Sequence, residues 1–395
     1  MSIFPQGAYG AYGAYGAYGA YGAYGAYAGA GAYGAYGAYG AYGGGSENPM
    51  LANAFITTHD GITGAQLDHV GTVNPGAADS TENLTRLSAG VRAALYQAEL
   101  TPSVDVNFDA DGDFPQAVLW RRGKEKRGGT VIKQEKMVQM IAPEVGQLQA
   151  QMKQVWGYAQ IRPDRSSEIL TQVSVPAPFF STIGFMDPAR TPYTLEFLYA
   201  ALAFASSAYQ RMKYTLAVKR PIEFSPQLQP MIPTPTHGSL PSGHATEAFL
   251  MARLIWKLLR HSNAPQYSDT AYWGEMLMRL AARIATNRTV AGVHFPVDSV
   301  AGAILGATLA EHVFTQCCGG DWWSTSFDGT KFDPNDDLNW HLLYDAATDT
   351  MEPSAGEWMQ GETQTGDPRF EPSPILAWLW SKAVAEWQDI ETGAG

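Results

Sequence analysis

Residues 237–244, His-Gly-Ser-Leu-Pro-Ser-Gly-His, constrain this chain more than any other stretch. They run straight into residues 245–255, where apolar side chains at 249, 252 and 255 recur at helical spacing. Ser242 therefore reads as the N-cap of a helix. The turn behind it presents backbone N–H groups without intrahelical partners, at the positive end of the helix dipole. A tetrahedral anion placed there is stabilised by backbone alone, and Gly243 lets it approach closely.

Two further groups flank this stretch. Upstream, Lys213 and Arg220 lie seven apart on a run that opens at Thr191-Pro192 and stops at Pro221, which predicts both cations on one helical face, two turns apart. Downstream, Arg288 follows the helical run 269–286. His294 and Asp298 are four apart around Pro296, which predicts a new helix whose carboxylate reaches the imidazole and fixes its tautomer. Taken singly, each cation is ordinarily surface charge and each histidine ordinarily structural; Arg211, Arg279 and Arg283 are equally basic neighbours.

Lys-x6-Arg-Pro, then Pro-Ser-Gly-His, then Arg-x5-His-x3-Asp resembles the pattern shared by vanadium-dependent haloperoxidases and the acid phosphatases of the type-2 phosphatidic-acid-phosphatase superfamily. The resemblance covers residues 191–314 and departs at Asn287, where the family usually has Ser. It implies an all-α fold, with helical runs at 192–218, 243–260, 270–287 and 296–314 packed as a four-helix bundle that carries an oxyanion site. N-terminal helices would form a second bundle or a dimer surface. The activity it implies is a vanadium-dependent haloperoxidase, in which hydrogen peroxide oxidises a halide to a hypohalous-acid equivalent that halogenates an organic acceptor.

By the same resemblance, His294 binds vanadium and Asp298 orients it. Lys213, Arg220, Arg288, the Ser242 hydroxyl and the Gly243 amide hold the oxygens of vanadate, for which phosphate is the competing occupant. His244 acts as general acid and base, and Lys213 draws electron density from the peroxide. His237 stands where this family often carries His in bromoperoxidases, which favours bromide; Gln210 stands where relatives usually place Trp or Arg.

Other readings remain open. The same residues would serve an acid phosphatase, with His294 as nucleophile and His244 protonating the leaving group. A zinc site built from His237, His244, His294 and Asp298 lacks His-Glu-x-x-His and stands among three cations. A Ser242 nucleophile lacks Gly-x-Ser-x-Gly. A structural protein could instead act through residues 7–42, which are almost wholly Gly-Ala-Tyr triplets and hold 11 of the 20 tyrosines.

That tail has a period of three, matching neither helix nor strand, and its composition predicts disorder over residues 1–46. Residues 47–395 are expected to form a single all-α domain. A formal charge of −12 argues against a nucleic-acid partner. The best membrane candidate, 297–314, is interrupted by Asp298 and carries Glu311 and His312. No charged segment leads into an apolar one at the N-terminus, so the expectation is a soluble, cytoplasmic homo-oligomer with no membrane partner. Adjacent Cys317 and Cys318 do not suggest a disulfide framework.

Elsewhere helices are expected over 80–97, 143–159 and 375–387. The acidic segment 105–113 reads as a solvated loop and the basic run 121–127 as a solvated turn. No alternating run is long enough to argue for a sheet.

Overall fold

The computed structural model describes residues 49–65, 76–109, 114–124, 132–174, 177–352, 356–367 and 371–388. The Gly-Ala-Tyr repeats lie outside these, as do 110–113 of the acidic segment and 125–127 of the basic run. The chain divides into two compact units between Leu95 and Tyr96. In the first, α1 (Pro49–Ile62) is followed by a 3-10 turn (Thr81–Arg86), whose Ser80 cap accepts from Glu82 N, and by the start of α2 (Ala89–Leu100). The helix expected within 80–97 is thus α2, beginning at Ala89 after a 3-10 turn.

The second unit continues with β1 (Val104–Asp109), β2 (Gln116–Lys124), β3 (Ile132–Ile141), α3 (Val145–Ala159), α4 (Arg162–Thr171) and α5 (Ala177–Ser181). Then come α6 (Pro192–Leu216), α7 (Pro221–Phe224), α8 (Gly243–Ser262), α9 (Thr270–Val290) and α10 (Pro296–Cys318). It closes with β4 (Trp322–Asp328), β5 (Tyr344–Asp345), β6 (Thr350–Met351), β7 (Met359–Gln364) and α11 (Pro374–Gln388).

The all-α expectation is overturned. Five strands form a mixed sheet in the order β1-β2-β3-β4-β7, with β3 and β4 parallel and the other pairs antiparallel, and β5 and β6 form a second, two-stranded sheet. Three strands of the larger sheet, β1 to β3, stand ahead of α3 where a second helical bundle was expected, and β4 and β7 join them from beyond α10. Its strands escape a search for alternation for two reasons. Ala117, Val118 and Leu119 are buried in succession, as happens where both faces of a strand are covered, and the β2/β3 register shifts between Leu119 and Trp120, which breaks the period of two. Arg121, expected in a solvated turn, is buried in β2 with its guanidinium over the Trp322 ring. The first half of the acidic segment is β1.

Capping and close approach position the helices. The first turn of α6 is capped from outside: the Glu386 carboxylate of α11 accepts from Tyr193 N, Thr194 N and the Thr194 hydroxyl at 2.7–2.8 Å, an anion at a helix N-terminus. The helix stops at Leu216, because Ala217 takes a left-handed conformation (φ 51°) and returns its N–H to Lys213 O. Arg220 is therefore not on α6 beside Lys213; it is the extended residue ahead of Pro221, at the start of α7.

Helix α10 lies against the first turns of α8 through Gly302 and Gly306. A Cβ at either would stand 2.6 Å from Ser242 O or 2.3 Å from Thr246 O, closer than packed atoms allow. Among the described residues α10 is the one helix long and apolar enough to cross a membrane, and 94% of its most apolar window is buried inside the protein.

Farther along α8, Arg253 and Lys257 are buried with Glu311 and Asp349. The Arg253 guanidinium also lies 3.5 Å over the Trp323 ring, and Tyr344 Oη donates to Asp349 at 2.8 Å. This cluster fastens α8 and α10 to the 344–351 hairpin.

Candidate active site

The ends of α6, α8, α9 and α10 meet where the chain breaks out of helix. At the end of α6, Lys213 Nζ donates to Gly238 O at 3.0 Å and Ser239 O at 2.8 Å, while Ser239 N donates to Val218 O. These bonds draw residues 237–239 across the end of α6. The approach is so close that a Cβ on Gly238 would stand 2.9 Å from Lys213 O.

Arg220 reads the same stretch from the other side. Its Nε donates to His237 O, Nη2 lies 3.0 Å from His237 Nδ1, and Nη1 donates to Val293 O at 2.7 Å and lies 3.0 Å from His294 Nε2. A guanidinium only donates, so His294 Nε2 accepts; His237 Nδ1 also lies 3.1 Å from Gly238 O, an acceptor. His294 Nδ1 then carries the ring proton and donates to Asp298 Oδ2 at 2.9 Å. Asp298 Oδ2 also accepts from Phe295 N and, in a short bond, from the Ser239 hydroxyl. The tautomer expected from the four-residue spacing follows, with Nε2 as the lone-pair nitrogen.

The turn between α9 and α10 sets the Arg288–His294 separation. Val293 N returns to Arg288 O, and Gly292 sits at φ 82°, a conformation that favours glycine. Arg288, in the last turn of α9, reaches the C-terminal end of α4, where Ile169 O, Gln172 O and Gln172 Oε1 accept from its terminal nitrogens at 3.3–3.5 Å. His244 Nε2 lies 3.0 Å from the same Gln172 carbonyl. Carbonyls that end a helix lack intrahelical donors and carry negative dipole charge, which suits both groups. The bond fixes the proton on Nε2 and leaves His244 Nδ1 as a lone-pair nitrogen. Ser242 caps α8 by accepting from Ala245 N, and its own N–H donates to Asp298 O at 2.8 Å.

All nine residues singled out from the sequence thus converge, although Lys213 and Arg220 arrive from different elements. Residues 194–317, which contain all nine, match the PAP2 superfamily. This segment is a PAP2 superfamily domain. Members of that superfamily are generally enzymes. No curated protein matches the chain.

The electrostatics of the PAP2 domain site call for an anion. Lys213, Arg220 and Arg288 are buried, with Asp298 as the carboxylate among them. Burial alone lowers Arg288, to about 10. Burial lowers Arg220 to about 10, and burial with the Arg220 charge lowers Lys213 well below its usual value. Burial also pushes Asp298 up, yet three donors converge on its Oδ2 and two carbonyls accept from Lys213, so hydrogen bonding holds both in their charged forms. Burial and neighbouring cations lower His237 to about 4, His244 to about 3 and His294 well below the imidazole range.

Two buried donors, Arg288 Nε and Gln172 Nε2, have no acceptor among the described residues. A cradle with surplus positive charge and spare donors fits a tetrahedral oxyanion such as vanadate or phosphate. His237 and His294 share Arg220 while His244 bonds Gln172 O, and among the described residues no group of three or more His, Cys, Asp or Glu side chains is placed to hold a metal ion by itself.

Sequence reasoning missed Gln172, Ser239, Tyr209 and Glu247. Gln172 follows α4 in a stretch with no motif of its own. Its Oε1 accepts from Asn287 Nδ2 at 2.8 Å, and Asn287 also donates to Glu168 at 3.1 Å. The departure from the family pattern therefore braces the residue that holds Arg288 and His244. Ser239 lay in plain view inside residues 237–244. Glu247 was legible only as one turn beyond His244 on α8.

Proposed function

We propose that the protein is a vanadium-dependent haloperoxidase that oxidises halide, bromide in preference to chloride, with hydrogen peroxide. One observation carries the choice: the anion donors are enclosed. Lys213 and Arg288 are each 1% exposed, Ser242 is 0% and His294 is 4%, while His237 and His244 are only partly buried. An enclosed cradle suits an anion retained as a prosthetic group and served by small reactants. A phosphatase acting on a bulky ester needs the same cradle open.

Vanadate held here would supply activation of peroxide toward halide without a change of metal oxidation state. The chain's own residues do the rest. His294 Nε2 would be the ligand nitrogen, its ring fixed by Asp298. Lys213, Arg220, Arg288, the Ser242 hydroxyl and the Gly243 amide neutralise and orient the oxygens. His244, with Nε2 pinned to Gln172 O, takes and returns a proton at Nδ1. His237 keeps the partly exposed side of the cradle polar.

The test is vanadium content of the purified protein, together with peroxide-dependent bromination and p-nitrophenyl phosphate hydrolysis, before and after adding orthovanadate. Bromination that appears with vanadate supports the proposal. Phosphate ester hydrolysis that vanadate inhibits, with no bromination, would assign the same cradle to an acid phosphatase with His294 as nucleophile.

A further inference from the structure

Behind the cradle, α6 and α8 share a polar ladder that the proposed chemistry does not use. Ser206 Oγ donates to Tyr209 Oη at 3.2 Å, and Tyr209 Oη donates to Glu247 Oε1 at 2.8 Å. The Tyr209 ring packs on the anion-binding turn itself, so a Cβ on Gly243 would stand 3.1 Å from it. Glu247 is buried and lies one helical turn beyond His244, where its charge acts on Lys213.

We infer that Glu247 is a charge-balancing residue whose carboxylate takes up one proton when the cradle receives an oxyanion, so that anion binding and proton uptake are one event. The inference rests on the oxyanion reading of the site. Its logic is charge balance. With Lys213, Arg220, Arg288 and Asp298 charged, the cradle carries a surplus of positive charge that an ionised Glu247 partly cancels. A bound dianion supplies that compensation directly and, being negative, disfavours the nearby carboxylate. Lys213, set against the anion, keeps its proton, and the carboxylate receives one from solvent.

The surroundings agree. The groups that act on Glu247 are Tyr209 and Lys213, both from α6. Helix α10 meets α8 through Gly302 and Gly306, and its Asp298 is held at the His294 end. From α9, Arg288 is taken by Gln172, and from α11, Glu386 caps α6. Burial already raises the Glu247 carboxyl to about 7, against the Tyr209 hydrogen bond and the Lys213 charge. It therefore stands where a neighbouring charge changes its protonation.

Calorimetric titration of the full chain with sulfate, a dianion throughout the range, tests this in mildly alkaline buffers of different ionisation enthalpy. The wild-type protein should take up about one proton per sulfate, and its affinity should fall about tenfold per pH unit above the Glu247 titration. Glu247→Gln should bind sulfate with little proton uptake and a flattened pH slope. Tyr209→Phe, which keeps the acid and removes a hydrogen bond favouring its charged form, should move the onset of uptake to higher pH. Undiminished uptake in Glu247→Gln would place the proton on another group of the cradle and overturn the inference. A wild-type protein that binds sulfate without proton uptake would also overturn it while leaving the oxyanion reading intact. A wild-type protein that takes no sulfate would overturn both.

Discussion

Arg220 Nη1 lies 3.0 Å from His294 Nε2, on the far side of the ring from the nitrogen that donates to Asp298. The imidazole is held at both nitrogens, with its lone pair on the atom that a vanadium or phosphorus centre would engage. An anion engaged at that nitrogen would displace the Arg220 donor, which could then donate to the anion.

His294→Ala should abolish vanadate-dependent bromination, because it removes the one nitrogen proposed to engage the metal while leaving weak anion binding by three cations. Vanadium content after gel filtration and the bromination rate are the measurements. Equal activity in the variant would refute the assignment.

His244→Ala should keep vanadate and lose turnover by about 10²–10⁴-fold, the range expected for a general acid or base. A variant that loses vanadate and keeps peroxide chemistry would mean that the two histidines exchange roles.

Gln172→Ala should weaken phosphate or vanadate binding by about fivefold to thirtyfold, since losing a hydrogen bond to a buried charged group costs about 1–2 kcal/mol. Equilibrium dialysis would show it. Asn287→Ser should give a smaller loss in the same direction, because serine is too short to hold both Glu168 and Gln172.

Acid should unfold this protein in a way that oxyanions oppose. His237, His244 and His294 bind protons in the unfolded chain at about pH 6.5 but are held neutral in the fold. Their contribution to stability is therefore full above that pH and declines as the pH falls toward the folded values, about 4 for His237 and 3 for His244. Melting curves across this window should fall with pH. Phosphate at about 100 times its dissociation constant should restore about 2.7 kcal/mol, and an acid melting profile unmoved by phosphate would place the anion elsewhere.

His237→Phe should raise chloride turnover relative to bromide. It removes the imidazole bonded to Arg220 and dries the exposed side of the cradle, which strengthens local electrostatics. Both halides would be measured at matched peroxide and vanadate. An unchanged ratio and pH profile would leave the bromide preference without residue-level support.

The sequence by itself determined the candidate site residues and most of the helices that carry them. Pro192, Ser242, Asp269 and Pro296 mark helix starts through local geometry, and motif spacing picks Lys213, Arg220, Arg288 and His294 from equally basic or aromatic neighbours. The tertiary structure alone decided three things. Whether residues 116–124 and 132–141 are strands depends on cover over both faces, which removes the alternation a sequence would show. Whether Arg220 shares a helix with Lys213 depends on Ala217, an ordinary helix former that turns left-handed because the chain must cross to residues 237–239. Gln172 and Glu247 became functional candidates only through packing against Arg288, His244 and Tyr209, since proximity between distant segments leaves no periodic trace in the chain.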